Sequence, residues 1–425
     1  MINLYVFFYE TKRSAIYGIG TYLRELTMAI KDSEINVCVI HLFSDKTDME
    51  IDIKTDGISY WYIPAPIIGD LSYENNRQSE LYYRNVVYLL RLQIKDTERL
   101  VFHLNNNHSG KLVNELRKTF DCRIIATAHY FDWSFVIYDD LQQLRKILND
   151  KQSNVFGENF KKSIEEEKLF FSNVDHVICP SKYMYEVICR DFGLDSAKIF
   201  VISNGLTDGK NTISKMYFLR KKWIISSKEK IILFAGRLDK IKGVSYLIKA
   251  FREVLEKFPK CRLMIAGSGY YDMYFQEAKD ICTKITFTGL LEKKELYELY
   301  QIADIGVVPS LFESFGFVAV EMMMHQLPIV ATATSGLNEV VDDTCALKVP
   351  IISYSDRVEI DTGLFAKNIL YLLQHSKKSK KMGYNGRKRY LKEYSSEVFR
   401  RNMMNFYQSL FIYDTTDNTS NMGGM

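Results

Sequence analysis

Short runs of β-branched and aromatic residues recur along the chain, and a helical pattern follows nearly every one. Such alternation commits a chain to parallel sheets covered on both faces, because parallel neighbours need a crossover and the usual crossover is a helix. In the first half the strand expectations are Asn3–Tyr9, Val37–Leu42, Val101–Leu104, Ile124–Ala128 and His176–Cys179. Helical patterns begin near Thr21 and span Glu80–Lys95 and Phe160–Phe171. The second half repeats the grammar at Ile231–Ala235, Arg262–Ala266, Ile285–Thr288, Ile305–Val308 and Ile329–Ala331. A length of 425 residues holds two α/β domains. The expected division is 1–205, a linker over 206–228, 229–394, a final helix within 395–413 and a disordered tail over 414–425.

Composition removes several classes. Lysine and arginine number 56 against 52 acidic residues, a net charge of +4, which gives no reason to expect a nucleic-acid partner. No apolar run reaches the roughly 18–20 residues of a membrane span. The opening MINLYVFFYETKR lacks a basic region before its apolar stretch and reads as a first strand. Seven cysteines without a C-x-x-C pair fit a reducing, cytoplasmic setting. Basic clusters at Arg220–Lys222 and along Lys377–Lys392 read as solvated helix faces, or as contacts with an anionic membrane surface. The pairs Asp139–Asp140 and Asp342–Asp343 lack the companions a metal site needs.

In open α/β sheets, ligands lie outside the carboxyl ends of the strands. Glu313 stands just before a helix expected to start near Phe315, and Glu321 lies eight residues later among Val318, Val320, Met322 and Met323. A carboxylate in such company needs partners, which the vicinal hydroxyls of a sugar would supply; a core glutamate bonded to a lysine or a neighbouring strand is the plainer alternative. Backbone N–H groups over Ser314, Phe315, Gly316 and Phe317 would open that helix as an anion site suited to a diphosphate. Arg237 and Lys242 follow the strand that ends at Ala235, and two cations beside a helix start can neutralise a departing diphosphate. Gly267 and Gly269 form a G-x-G turn, and Gly18 and Gly20 stand where the first helix begins. Either pair marks close backbone approach to a ligand or simply a tight turn. His129 ends its strand and is a candidate hydrogen-bond partner of a sugar. His103 and His108 are weaker candidates of the same kind, while His41, His176 and His325 read as structural.

Taken together, Gly236–Arg237, Lys242–Gly243 and E-x7-E from Glu313 to Glu321 resemble the donor domain of the family-4 glycosyltransferases, over roughly Lys230–Val341. ISNG at Ile202–Gly205 and the glycines of YGIG resemble the same family. The resemblance implies a retaining enzyme of the GT-B fold, α/β, with two Rossmann-like domains facing an interdomain cleft. It implies a nucleoside-diphosphate sugar as co-substrate and no metal or other cofactor. Arg237 and Lys242 would bind the diphosphate and Glu321 the ribose hydroxyls. Glu313 and the backbone at Phe315–Phe317 would orient the transferred sugar, and His129 would approach it from the first domain. The nucleotide site would include Gly18, Gly20, Gly236 and Gly267, and the last helix would pack back on the first domain. Two departures stand out: Tyr130 follows His129 where the family often has Asp, and the glycine-rich run near Glu339 is reduced to TSGLNEVV.

The acceptor is left open among a glycan, a lipid-linked sugar, a peptide and a small molecule. The helical pattern over Glu80–Lys95 sets Leu81, Val86, Leu89, Leu90 and Leu92 beside Arg84, Arg91 and Lys95. Such a segment either covers a sheet or lies against the inner face of the cytoplasmic membrane. A non-catalytic glycan- or partner-binding module derived from a glycosyltransferase is the alternative reading of the whole chain.

Overall fold

The computed structural model describes residues 1–9, 18–66, 77–138, 140–150, 155–209, 216–354 and 357–411. The chain forms two compact units. The first takes Met1–Asp132, Lys151–Gly205 and the chain from Ser396 onward; the second takes Trp133–Asp150 and Leu206–Ser395.

The first unit is built on β1 (Ile2–Tyr9), β2 (Ile35–Ser44), β3 (Glu50–Thr55), β4 (Ile58–Pro64), β5 (Leu100–Leu104), β6 (Arg123–Thr127), β7 (His176–Cys179) and β8 (Ile199–Val201). Their order is β3-β4-β2-β1-β5-β6-β7-β8. All neighbours run parallel except β3 and β4. β5 is buried along its whole length, as its apolar run requires of a central strand. The β3–β4 hairpin was not expected from the pattern, yet its signal is present: Asp56 and Gly57 turn with φ of 51° and 81°, the left-handed pair that a two-residue hairpin turn demands.

The helix Arg77–Gln93 separates the residues that the sequence grouped together. Tyr82, Tyr83, Val86, Val87 and Leu90 face the core, while Leu81, Arg84, Tyr88, Arg91 and Leu92 are exposed. The helix Ser396–Ser409 packs on Gly18–Ile30, where Phe399 meets Tyr22 with ring centroids 5.9 Å apart. The tail expected over 414–425 lies outside the described residues.

The second unit holds β9 (Lys230–Ala235), β10 (Cys261–Ala266), β11 (Ile285–Gly289), β12 (Ile305–Val308), β13 (Ile329–Ala333), β14 (Ala346–Ser353) and β15 (Val358–Ile360). Their order is β11-β10-β9-β12-β13-β14-β15, parallel except for the last pair. The order reverses direction between β9 and β12, which makes their carboxyl ends the place for a ligand.

Two boundary expectations need correction. Residues 206–228 are not a free linker, because Leu206, Leu219 and Ile225 belong to the core of the second unit. Arg387 grips Asp208 through both guanidinium nitrogens, and the Leu206 amide bonds to the Tyr394 carbonyl at 2.9 Å. Nor is 1–205 one domain. Trp133–Asp150 clusters with the second unit, where Phe135 meets Phe312 edge-on at 6.0 Å.

Candidate active site

The carboxyl ends of β9, β10 and β11 are tied level. The Gly236 amide bonds to the Ala266 carbonyl and the Gly267 amide to the Gly289 carbonyl, each at 2.9 Å. A Cβ on Gly267 would fall 1.8 Å from the Gly236 oxygen, and its φ is +150°. Gly267 is therefore needed for packing between neighbouring strand ends, the plainer of the readings its G-x-G turn allowed. Arg237 leaves this tier beside Asp239, at 3.1 Å, with its side chain 32% exposed.

Lys242 is delivered by a close approach of two loops. Gly243 takes φ 68°, and a Cβ there would lie 1.9 Å from the Pro309 oxygen. Only glycine lets the turn rest on that carbonyl. Beside it the Lys242 ammonium donates to Glu313 Oε1 at 2.6 Å, and Ser310 Oγ donates to the same oxygen at 2.9 Å. The loop bearing Glu313 is braced from behind. Thr334 Oγ1 donates to the Leu311 carbonyl at 2.7 Å and Thr332 Oγ1 to the Ser310 carbonyl at 2.5 Å. The Gly336 amide bonds to the Glu313 carbonyl at 2.9 Å, so the shortened glycine run near Glu339 still supports this loop. Ser310, Thr332 and Thr334 were missed in the sequence; their signal was small hydroxyl residues at the ends of adjacent buried strands.

The helix begins later than expected. Gly316 is its N-cap in a left-handed conformation, and the helix runs Phe317–Met324. The Ala319 and Val320 amides bond to the Gly316 carbonyl, which leaves Phe317 and Val318 as the first-turn donors without an intrahelical partner. Phe315 is a core side chain, 2% exposed, packed against Phe317 and Tyr394. Ser314 is half-buried in the loop before it.

Glu321 is 4% exposed and already has protein partners on both oxygens. The Lys293 ammonium binds Oε1, and the Tyr300 phenol donates to Oε2 at 2.9 Å. Burial and the carboxylate hold the Tyr300 phenol well above its usual pKa, so it remains a donor. Of the two readings open for Glu321, these bonds match the core glutamate held by a lysine, because a buried charge recruits donors from its own fold. Lys293, Tyr297 and Tyr300 fall at helical spacing on one face of Lys293–Ile302, a signal the sequence contained.

In the first unit, His129 Nε2 meets Asn105 Oδ1 at 2.9 Å, and Asn105 Nδ2 donates to the Phe7 carbonyl at 3.2 Å. That second bond fixes the amide, so Nε2 carries the proton and Nδ1 keeps its lone pair. Burial pushes the His129 pKa down to about 3. The Tyr22 ring stands edge-on to His129 at 4.6 Å. His103 bridges Tyr407 and Thr127 at 2.7 Å each and is structural. His108 pairs with Asp132 at 3.2 Å. Gly18 and Gly20 lie in the first turn of their helix, in the first unit. Among the described residues no group of three His, Cys, Asp or Glu side chains could hold a metal ion. Asp140 caps a helix, Asp342 pairs with Arg389, and Asp139 lies outside the described residues.

Residues 16–208 match the family described as Glycosyltransferase Family 4, and residues 216–389 match Glycosyl transferases group 1. An uncharacterized glycosyltransferase of Methanocaldococcus jannaschii is 36% identical over 176 residues, 39% of this chain and 44% of that one. The chain thus spans less than half the length of that relative. Sucrose-phosphate synthase from Thermosynechococcus elongatus superposes with a TM-score of 0.77 at 20% identity, over 97% of this chain and 99% of the other. Anabaena Alr3699/HepE, solved with UDP and glucose, gives 0.72 at 14% identity, over 96% and 100%. With two successive family matches and two Rossmann-like sheets of this order, the chain belongs to the family-4 glycosyltransferases and has their GT-B fold.

Proposed function

We propose that this glycosyltransferase moves a hexose or N-acetylhexosamine from a nucleoside diphosphate to a hydroxyl acceptor, with retention at the anomeric carbon. The observation that carries the reading is the Lys242–Glu313 pair, 18% and 17% exposed, at the carboxyl ends of the second sheet. It shares that edge with Arg237 and with the open amides of Phe317 and Val318. As the glycosidic bond breaks, negative charge grows on the diphosphate. Fixed cations and helix-start amides stabilise that charge most in the transition state. They do so without a resident metal. Glu313, anchored by Lys242 and Ser310, keeps Oε2 for a sugar hydroxyl. The departing phosphate takes the acceptor's proton on the same face, which accounts for retention with no protein nucleophile.

UDP is the first nucleotide to try, because a structural neighbour was solved with it. Seven free cysteines suit a cytoplasmic setting. No described helix is long and apolar enough to cross a membrane, but the exposed face of Arg77–Gln93 suits peripheral contact and a lipid-linked acceptor. Thermal-shift screening against UDP-, GDP- and ADP-sugars identifies the donor, since a ligand of the native state raises apparent stability. Arg237→Ala and Lys242→Ala should then each lower donor turnover by about 10²-fold or more. Unchanged turnover in both rejects the diphosphate assignment. Nucleotide binding without turnover on any acceptor, water included, favours the non-catalytic module.

A further inference from the structure

The basic cluster Arg220–Lys222 reads differently once folded. Arg220 donates to the carbonyls of Ser226, Glu229 and Ile302, and Lys222 pairs with Glu298 at 2.5 Å. Two of the three cations are thus satisfied within the chain. What the helix Met216–Lys222 turns to solvent is mainly apolar: Met216 is 58% exposed, Tyr217 72% and Phe218 61%, and the two rings meet edge-on at 5.6 Å. Just after the helix, Ile224 is 90% exposed at φ 55°, with its amide on the Lys221 carbonyl and the Ile225 amide on the Arg220 carbonyl. Glycine normally holds this left-handed position after a helix, and a β-branched residue there is strained. With so much of it in solvent, the Ile224 side chain contributes almost no packing to offset the strain. Buried Leu219 and Ile225 fix the segment to the core of the second unit, so the exposed side chains stand on a rigid base.

Four side chains of this size, mostly uncovered, present on the order of 500 Å² of apolar surface. That is near the upper end of what a monomer exposes in one place. A standard interface covers about 800 Å² per partner, and about two-thirds of it is apolar where two copies of one chain meet. The patch therefore has the size of one side of such an interface. Charge decides what covers it. The helix Lys293–Ile302 packs beside Met216–Lys222, and around the patch stand Lys221, Lys222 and Lys294 against Glu292, Glu295 and Glu298. An anionic membrane surface would meet as many carboxylates as cations there. A rim balanced in sign matches a second rim of the same kind. We infer that this face joins two copies of the chain about a two-fold axis, with Tyr217, Phe218 and Ile224 at its centre and the lysines and glutamates at its rim. The inference stands apart from the nucleotide-sugar reading.

Sedimentation velocity of the full chain, run from dilute to concentrated, reads the association directly. Wild type should pass reversibly from the mass of one chain to that of two. Phe218→Asp puts a charge at the centre and occurs twice in a two-fold pair, so the dissociation constant should rise about a hundredfold, about tenfold from each copy. Leu169→Asp alters a similarly exposed side chain, at 59%, on the helix Val155–Asn173 and should leave the constant unchanged. Ile224→Gly removes the side chain and relieves the backbone, so it should weaken association while the melting temperature of the dilute monomer holds or rises. It also stands in if Phe218→Asp does not fold. A wild type that stays monomeric, equal losses in Phe218→Asp and Leu169→Asp, or a folded Phe218→Asp or Ile224→Gly variant that associates as wild type each overturns the inference. So does vesicle flotation of a monomeric wild type that Phe218→Asp abolishes, which would give the face to a membrane.

Discussion

Gly243→Ala tests whether catalysis depends on the contact between two loops. The added Cβ would lie 1.9 Å from the Pro309 oxygen, where ordinary contact begins at 3.4 Å. The turn must therefore retreat by about 1.5 Å. Lys242 is the adjoining residue, and its ammonium would leave Glu313 by a similar distance. Misplacement of about 1 Å is enough to cost about 10²-fold in rate, so turnover of the cognate donor should fall by about that factor. Stability should fall as well, because alanine at φ 68° carries a penalty of about 1–2 kcal/mol. Gly57→Ala separates the two effects. Gly57 has φ +81° with nothing within 4 Å of a Cβ, so it brings the backbone penalty without the crowding. Urea melts should show the backbone penalty in both variants and a further loss from crowding in Gly243→Ala, with turnover lost only in Gly243→Ala. If folded Gly243→Ala retains activity within about threefold of Gly57→Ala, under 1 kcal/mol of barrier, the delivery of Lys242 by this contact is refuted.

Burial holds His103 and His129 down to about 3 from an ordinary 6.5. Both are neutral in the folded chain, whereas the unfolded chain binds their protons below about 6.5. Their contribution is complete above that pH and is lost as pH falls towards 3. His103→Gln should make urea-derived stability fall less steeply between pH 6.5 and 4, by up to about 1.4 kcal/mol per pH unit; an unchanged slope contradicts this. EDTA should leave turnover intact, because in the proposed reading Arg237 and Lys242 neutralise the diphosphate; activity restored only by added Mg²⁺ or Mn²⁺ would reverse that. Flotation with anionic liposomes at low salt should carry the protein, and Arg84→Glu with Arg91→Glu should release it. Full activity on a soluble acceptor without flotation would leave the Arg77–Gln93 helix as a sheet cover.

The alternation of strand and helix was legible because a strand buried on both faces can scarcely tolerate polar residues. β12 shows it in every position, and β5 in every position but His103, whose ring nitrogens are both bonded. The edge strand β3 escaped for the converse reason, since most of it is exposed and reads as polar, and β14, one strand in from the other sheet's edge, carries Pro350 and an exposed end. In the candidate site, the contact between Lys242 and Glu313 joins two residues that the sequence placed in loops after different strands of one sheet. Partners that come from far along the chain were not legible. The shared face of Lys293, Tyr297 and Tyr300 is legible in their spacing, but not that Glu321 is what Lys293 and Tyr300 meet, because sheet order rather than spacing brings them together.

The excursion of Trp133–Asp150 into the second unit bears on how such enzymes can be recombined. The chain passes between units after Asp132, Asp150, Gly205 and Ser395. A chimaera cut at the midpoint to exchange acceptor halves would carry away Trp133, 2% exposed, and Phe135, which packs against Phe312 next to Glu313. It would also leave the Ser396–Ser409 helix joined to a foreign partner. A graft that respects the fold must move three separate stretches of the first unit and leave Trp133–Asp150 in place. Heredity faces the same restriction: one crossover near residue 205 divides both units of this chain.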